Sequence, residues 1–182
     1  MAQVIARFAE RYDIDIVPHL IRASCGRNQP EQEKLAVWAR RDCALIAPHY
    51  GLNFPPNAPV MPEHGQQQAA SRLLAKRSAD EFLARIESVS SAVWSGDAVD
   101  VGQTTVTSTE AEAALDSGSA RLADLNHYSG AMLYYGGEWY WGVDRLFHLE
   151  QRLRDLGACK APEQSYLVPR PAVEISSVDA SG

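Results

Sequence analysis

Ala131-Met-Leu-Tyr-Tyr-Gly-Gly-Glu-Trp-Tyr-Trp141 is the stretch on which the fold turns. Two apolar, aromatic-rich runs flank Gly136-Gly137, and adjacent glycines accept the positive φ values of a tight two-residue turn. The stretch therefore predicts a β-hairpin. Directly after it, Gly142-Val-Asp-Arg-Leu-Phe-His-Leu-Glu-Gln-Arg-Leu-Arg-Asp-Leu156 predicts a helix. Leu146, Leu149, Leu153 and Leu156 repeat at helical spacing, and Gly157 suits the C-cap.

A hairpin leading straight into an amphipathic helix is the closing order of a thioredoxin-type fold. The start of that helix is also where chemistry can sit. The first N–H groups of a helix lack intrahelical partners and the dipole is positive there, so the turn at Gly142–Asp144 favours an anion. Asp144 can instead hold a ligand's ammonium group or cap the helix itself. Arg145 is an exposed helical arginine or a partner for a carboxylate.

Upstream, the chain opens on a helix: Val4, Phe8 and Tyr12 recur every four residues with Ile5 beside them. Ile14 and Ile16 alternate with Asp15, and Val17, Leu20 and Ile21 follow, which predicts a half-buried strand that Pro18 ends or places at an edge. Residues 24–30 carry turn chemistry, with Asn28 or Gln29 as a cap and Pro30 at a first helical position. A helix over 31–47 then sets Leu35, Trp38, Leu45 and Ile46 near one face, and Cys43 reads as a small core residue near Trp38. A proline-punctuated loop covers 51–62. Helices are expected over 64–77 and over about 78–94, the second opened by a Ser78/Glu81 capping box and carrying Phe82, Ile86, Val89 and Val93. Residues 97–108 read as a short strand or a loop. Thr107 with Glu110 opens further helix to about 125, with Gly118 as an expected interruption. From 160 onward no periodicity is visible, which predicts a loosely ordered tail over 159–182.

Composition narrows the function classes. The chain has 182 residues, 46% hydrophobic and 22% charged, with 17 basic and 23 acidic side chains and a net charge of −6. A nucleic-acid or anionic-membrane surface needs clustered Lys/Arg, so neither partner is expected. Cys25, Cys43 and Cys159 stand far apart, and without Cys-x-x-Cys neither a dithiol redox centre nor a cysteine zinc knuckle can be written. His19, His49, His64, His127 and His148 show no metal-ligand spacing, so no metal is expected. Residues 1–12 lack the apolar run of a secretory signal, and a cytoplasmic location is the expectation. Cys25 reads as a surface or structural cysteine rather than a reactive thiol. Trp139, Tyr140 and Trp141 read chiefly as packing residues, and His127 beside Tyr128 lies next to the expected ligand loop.

Gly-Gly-Glu-Trp-Tyr-Trp-Gly-Val-Asp-Arg-Leu over 136–146 closely resembles the C-terminal signature of the 2-hydroxychromene-2-carboxylate isomerases, relatives of kappa-class glutathione transferases in the DsbA-like thioredoxin-fold group. Ala39-Arg-Arg-Asp42, Tyr50-Gly-Leu-Asn-Phe-Pro55 and Trp94-Ser-Gly-Asp97 resemble the family's helical domain. The resemblance covers about 2–157 and is specific at 134–149. It implies an α/β fold: a thioredoxin-like core over 1–25 and 126–158, interrupted by a helical domain over 26–125, with the first strand of the family pattern missing. It also implies glutathione as cofactor, bound between core and insertion, and a small aromatic keto-acid substrate. Gly130, Val143 and Asp144 fall on the family's glutathione-binding positions; only the backbone of Val143 can serve. Ala131 stands where the family has a cis-proline, and a trans bond is expected there. No residue matches the family's catalytic serine, so no catalytic residue is assigned. The implied reaction is glutathione-dependent cis/trans isomerisation without net redox change. Two other readings stand beside it: a DsbA-like oxidoreductase or glutathione transferase, and a non-catalytic protein that binds a partner or forms a homodimer through its aromatic hairpin.

Overall fold

The computed structural model describes residues 1–23, 31–102 and 104–171. Among them the chain is mixed α/β, with six α-helices and one two-stranded antiparallel sheet. The elements are α1 (Ala2–Arg11), α2 (Gln32–Ile46), α3 (His64–Leu74), α4 (Ala79–Ser95), α5 (Ser108–Asp124), β1 (Met132–Tyr135), β2 (Glu138–Trp141) and α6 (Leu146–Asp155). Short 3-10 turns occupy Ala47–Tyr50 and Val143–Arg145. No helix among the described residues is long and apolar enough to cross a membrane.

The largest apolar cluster forms where α1 meets α6. Val4, Ile5, Phe8 and Tyr12 bury against Leu146, Leu149 and Leu153, joined by Tyr140, Val143 and Val168. The apolar spacing of both helices is thus used as the sequence predicts, except that Leu156 lies just past the end of α6 and is exposed. One charged side chain lies inside this cluster. Glu150 is fully buried, and its carboxyl oxygens accept from the Tyr12 hydroxyl at 2.6 Å, from Leu167 N–H at 2.9 Å and from Val168 N–H at 2.8 Å. Burying a carboxyl group is costly unless its oxygens are satisfied, and here three donors meet them. Burial, followed by the hydrogen bond to Glu150, pushes the Tyr12 hydroxyl well above the ordinary tyrosine range.

Residues 160–171 differ from the loose tail expected. Arg154 donates to the carbonyls of Pro162 (3.1 Å) and Gln164 (2.7 Å) and stacks over Tyr166 at 4.4 Å. Arg11 reaches Ser165 O, and Tyr166 packs on Phe147 with ring centroids 4.8 Å apart. Periodicity is silent here because side chains of other elements, not the segment's own pattern, hold it in place. Residues 172–182 lie outside the described residues.

The strand expected over 14–21 is also absent. Tyr12 makes an isolated bridge to Cys159, and the chain then runs on without a ladder. Ile14 and Ile16 pack on the α1/α6 cluster, whereas Leu20 packs among the helices, against clusters built on Leu73, Leu74 and Val89 and on Ala75, Val106 and Ala111. Its alternation serves helical surfaces rather than a sheet. Arg22 ends the crossing on α5, its N–H donating to Ser119 Oγ and its guanidinium meeting Glu112 and Asp116.

Gly118 does not interrupt α5 but permits this crossing. A Cβ at Gly118 would stand 1.9 Å from the Leu20 carbonyl oxygen. Both capping boxes form as expected, Ser78 with Glu81 and Thr107 with Glu110. Elsewhere α3 stops at Leu74, three residues before its expected end: Ala75 is extended, Lys76 has φ +56°, and Arg77 Nε donates to Leu73 O. Described residues over 97–107 form a loop and no strand. Helix α2 forms, but none of its side chains is buried and Cys43 is exposed, not a core residue. The turn over 24–30, with Cys25, Gly26, Asn28 and Pro30, lies outside the described residues.

Two substitutions test this packing. Glu150→Ala strands three donors, two of them buried, and should lower unfolding free energy by about 3–5 kcal/mol in chemical denaturation, against about 1–2 kcal/mol for Tyr12→Phe. Gly118→Ala would gain roughly 1 kcal/mol in an unhindered helix. Here overpacking of about 1–3 kcal/mol against Leu20 should reverse the sign and make the variant less stable.

Candidate functional site

The hairpin pairs Met132 with Trp141, Leu133 with Tyr140, Tyr134 with Trp139 and Tyr135 with Glu138, so Gly136 and Gly137 form the two-residue turn, at φ +54° and +89°. Arg152 of α6 fixes this closed end. Its Nη1 donates to Tyr135 O and to the Tyr140 hydroxyl, its Nη2 to Gly136 O, and Glu138 completes an ion pair at 3.1 Å. Alternation across β2 turns Tyr140 into the core and Trp139 and Trp141 to the opposite face.

With its turn bolted to α6, the hairpin delivers its open end to a defined place. Gly142 N–H reaches the Ala131 carbonyl at 3.4 Å, drawing the loop before β1 against the turn before α6. Gly130 and Ala131 are therefore brought together with Gly142, Val143 and Asp144. Gly142 adopts φ +79°, ψ 172°, and a Cβ there would stand 2.7 Å from Asp144 Oδ1. The Val143 side chain is buried in the α1/α6 cluster, which leaves only its backbone to face a ligand. Of the alternatives for Asp144, capping is not what occurs: neither the turn nor α6 has a side-chain capping bond. Its half-exposed carboxylate instead stands 3.7 Å from Arg145 Nε. Ala131 has φ +55°, and among the described residues no peptide bond is cis, in line with the trans bond expected there.

Tyr50, quoted above only within the stretch over 50–55, packs on the α1/α6 cluster. It closes the 3-10 turn after α2, and burial followed by the nearby Asp144 charge pushes its hydroxyl pKa up. No local pattern marks this packing, because it depends on α2 delivering Tyr50 against helices that lie far away along the chain.

His127 sits apart from these groups, on the outer face of the hairpin. Its Nδ1 accepts from the N–H groups of Tyr128 (2.9 Å) and Ser129 (3.1 Å), which places the ring's proton on Nε2. The ring lies 5.1 Å from Tyr128 and 4.9 Å from Trp139, with Trp141 at 6.2 Å, and Trp139 Nε1 donates to Leu125 O. Trp141 remains 54% exposed, so this face is a packed aromatic cluster with an open rim. Among the described residues, no three or more His, Cys, Asp or Glu side chains gather as a metal site. A cavity of about 300 Å³ lies elsewhere, lined by Leu73, Arg77, Arg85, Asp100, Gly102 and Thr104.

Comparison with known protein families, with curated proteins and with solved structures returns no match.

Gly142→Ala checks the turn. The backbone there lies in a region occupied essentially by glycine alone, so the variant should lose about 1–3 kcal/mol of stability. Amide exchange should rise first at 142–145.

Proposed function

We propose that the open end of the hairpin binds glutathione, on a thioredoxin-like core carrying a helical insertion, in a protein of the 2-hydroxychromene-2-carboxylate isomerase type. The observation that carries this reading is the meeting of Gly130–Ala131 with Gly142–Asp144 through the Gly142 N–H and the Ala131 carbonyl. The γ-glutamyl end of glutathione bears an α-carboxylate and an α-ammonium on one carbon. Free N–H groups at the start of the 143–145 turn suit the carboxylate, and the half-exposed carboxylate of Asp144, with Arg145 only at 3.7 Å, suits the ammonium.

In the isomerisation this reading implies, the glutathione sulfur adds to the unsaturated keto acid, a carbon–carbon bond rotates, and the sulfur leaves with its proton balance restored. No electrons are transferred. The described residues of the site supply binding and orientation; none of them is a serine at a helix N-terminus, where a thiolate would be stabilised. The exposed aromatic rim of Tyr128, Tyr134 and Trp141 favours a second reading, in which the hairpin face docks a protein partner.

Titration with reduced glutathione, followed by amide chemical shifts, tests the first reading. Weak saturation at millimolar concentration is expected, with shifts at 130–131 and 142–145, and Asp144→Ala should weaken binding about tenfold, the loss of one charge-assisted bond. Shifts confined to the aromatic rim, or none at all, would overturn it.

A further inference from the structure

On α2, Leu35, Trp38, Asp42 and Leu45 follow the 3-4-3 spacing of a coiled-coil seam, and nothing among the described residues covers them. Leu35 is 49% exposed, Trp38 58% and Leu45 68%. The opposite side of the helix is anchored: Arg40 donates through Nε to Ala58 O and through Nη2 to Pro56 O. The seam is thereby held outward.

We infer that this seam pairs with the same seam of a second copy, antiparallel, about a two-fold axis near residue 40. The pattern is self-complementary only in that direction. Each Leu35 then faces the partner's Leu45, and each Asp42 faces the partner's Trp38. The indole N–H can donate to the carboxylate. Arg41 lies over the Trp38 ring at 5.4 Å, so each copy also brings a cation toward the other's Asp42. A parallel pair would set Asp42 against the partner's Asp42, two like charges in the centre of the seam, where a single polar residue decides orientation. A fifteen-residue helix is about 22 Å long. Such a pair covers less than the roughly 800 Å² per partner of a standard interface. The dimer is therefore weak and dependent on concentration.

Sedimentation of the full chain at rising concentration, with two charge variants, tests this. The unaltered chain should pass from monomer to dimer. Leu45→Glu and Leu35→Lys change exposed positions and should each give a folded monomer, with the helical circular dichroism of the parent. An equimolar mixture of the two should dimerise again. Only in the antiparallel arrangement does the new carboxylate at position 45 of one chain meet the new ammonium at position 35 of the other, while an unaltered Leu35–Leu45 pair closes the opposite end. A parent chain that stays monomeric near millimolar concentration, variants that still dimerise alone, or a mixture that stays monomeric would each overturn the inference.

Discussion

The buried carboxyl group of Glu150 is the constraint around which the core closes. Its two oxygens have room only for donors, and the donors come from Tyr12 at the end of α1 and from Leu167 and Val168 near the end of the described chain, all gathered by α6. An apolar residue there would leave the two backbone N–H groups and the hydroxyl without partners in a region closed to water. Arg154, one helical turn on, donates to Tyr12 and to the same terminal segment. The two side chains thus convert a patternless stretch of sequence into a wall of the core, with Val168 buried against the leucines of α6.

From α6 the constraint passes to the site. Arg152 fixes the turn of the hairpin while Leu146, Leu149 and Leu153 fix the helix itself, so the open end and the 143–145 turn cannot move independently. The helical half is tied in by α4, which packs on both α1 and α3, and by residues 13–23, which leave the core beside Ala158 and end on α5. Gly118 matters for this reason. The crossing chain lies so close to α5 that only a hydrogen fits between them.

What could be read from the sequence was whatever local geometry decides. Both capping boxes, the Gly136-Gly137 turn and the leucine spacing of α6 from Leu146 to Leu153 are settled within a few residues, and each appears where expected; Leu156, the next in the series, is exposed. The 14–21 stretch misleads because alternation reports an extended chain with two unlike faces, without saying whether the faces meet strands or helices. Residues 160–171 are opaque for the complementary reason: their order is imposed by Glu150, Arg154 and Phe147. At the candidate site Gly130, Val143 and Asp144 were named through the family resemblance rather than a local pattern, and it is the pairing of the hairpin that brings the loop before β1 to the turn before α6.

Helices α1 and α2 show how far periodicity carries. Both have apolar residues at helical spacing, yet the stripe of α1 is buried against α6 and that of α2 faces outward. The difference lies in what interrupts the stripe. Between Val4 and Tyr12 the inward positions carry one polar atom, the Tyr12 hydroxyl, and Glu150 satisfies it. In α2 the stripe includes Asp42, a residue that a core contact would have to desolvate without a donor. A carboxylate placed there is tolerated only where water or a donor can reach it. Helix α2 continues directly into the 3-10 turn Ala47–Tyr50, so the exposed stripe and Tyr50, which packs on the α1/α6 cluster, belong to one continuous segment.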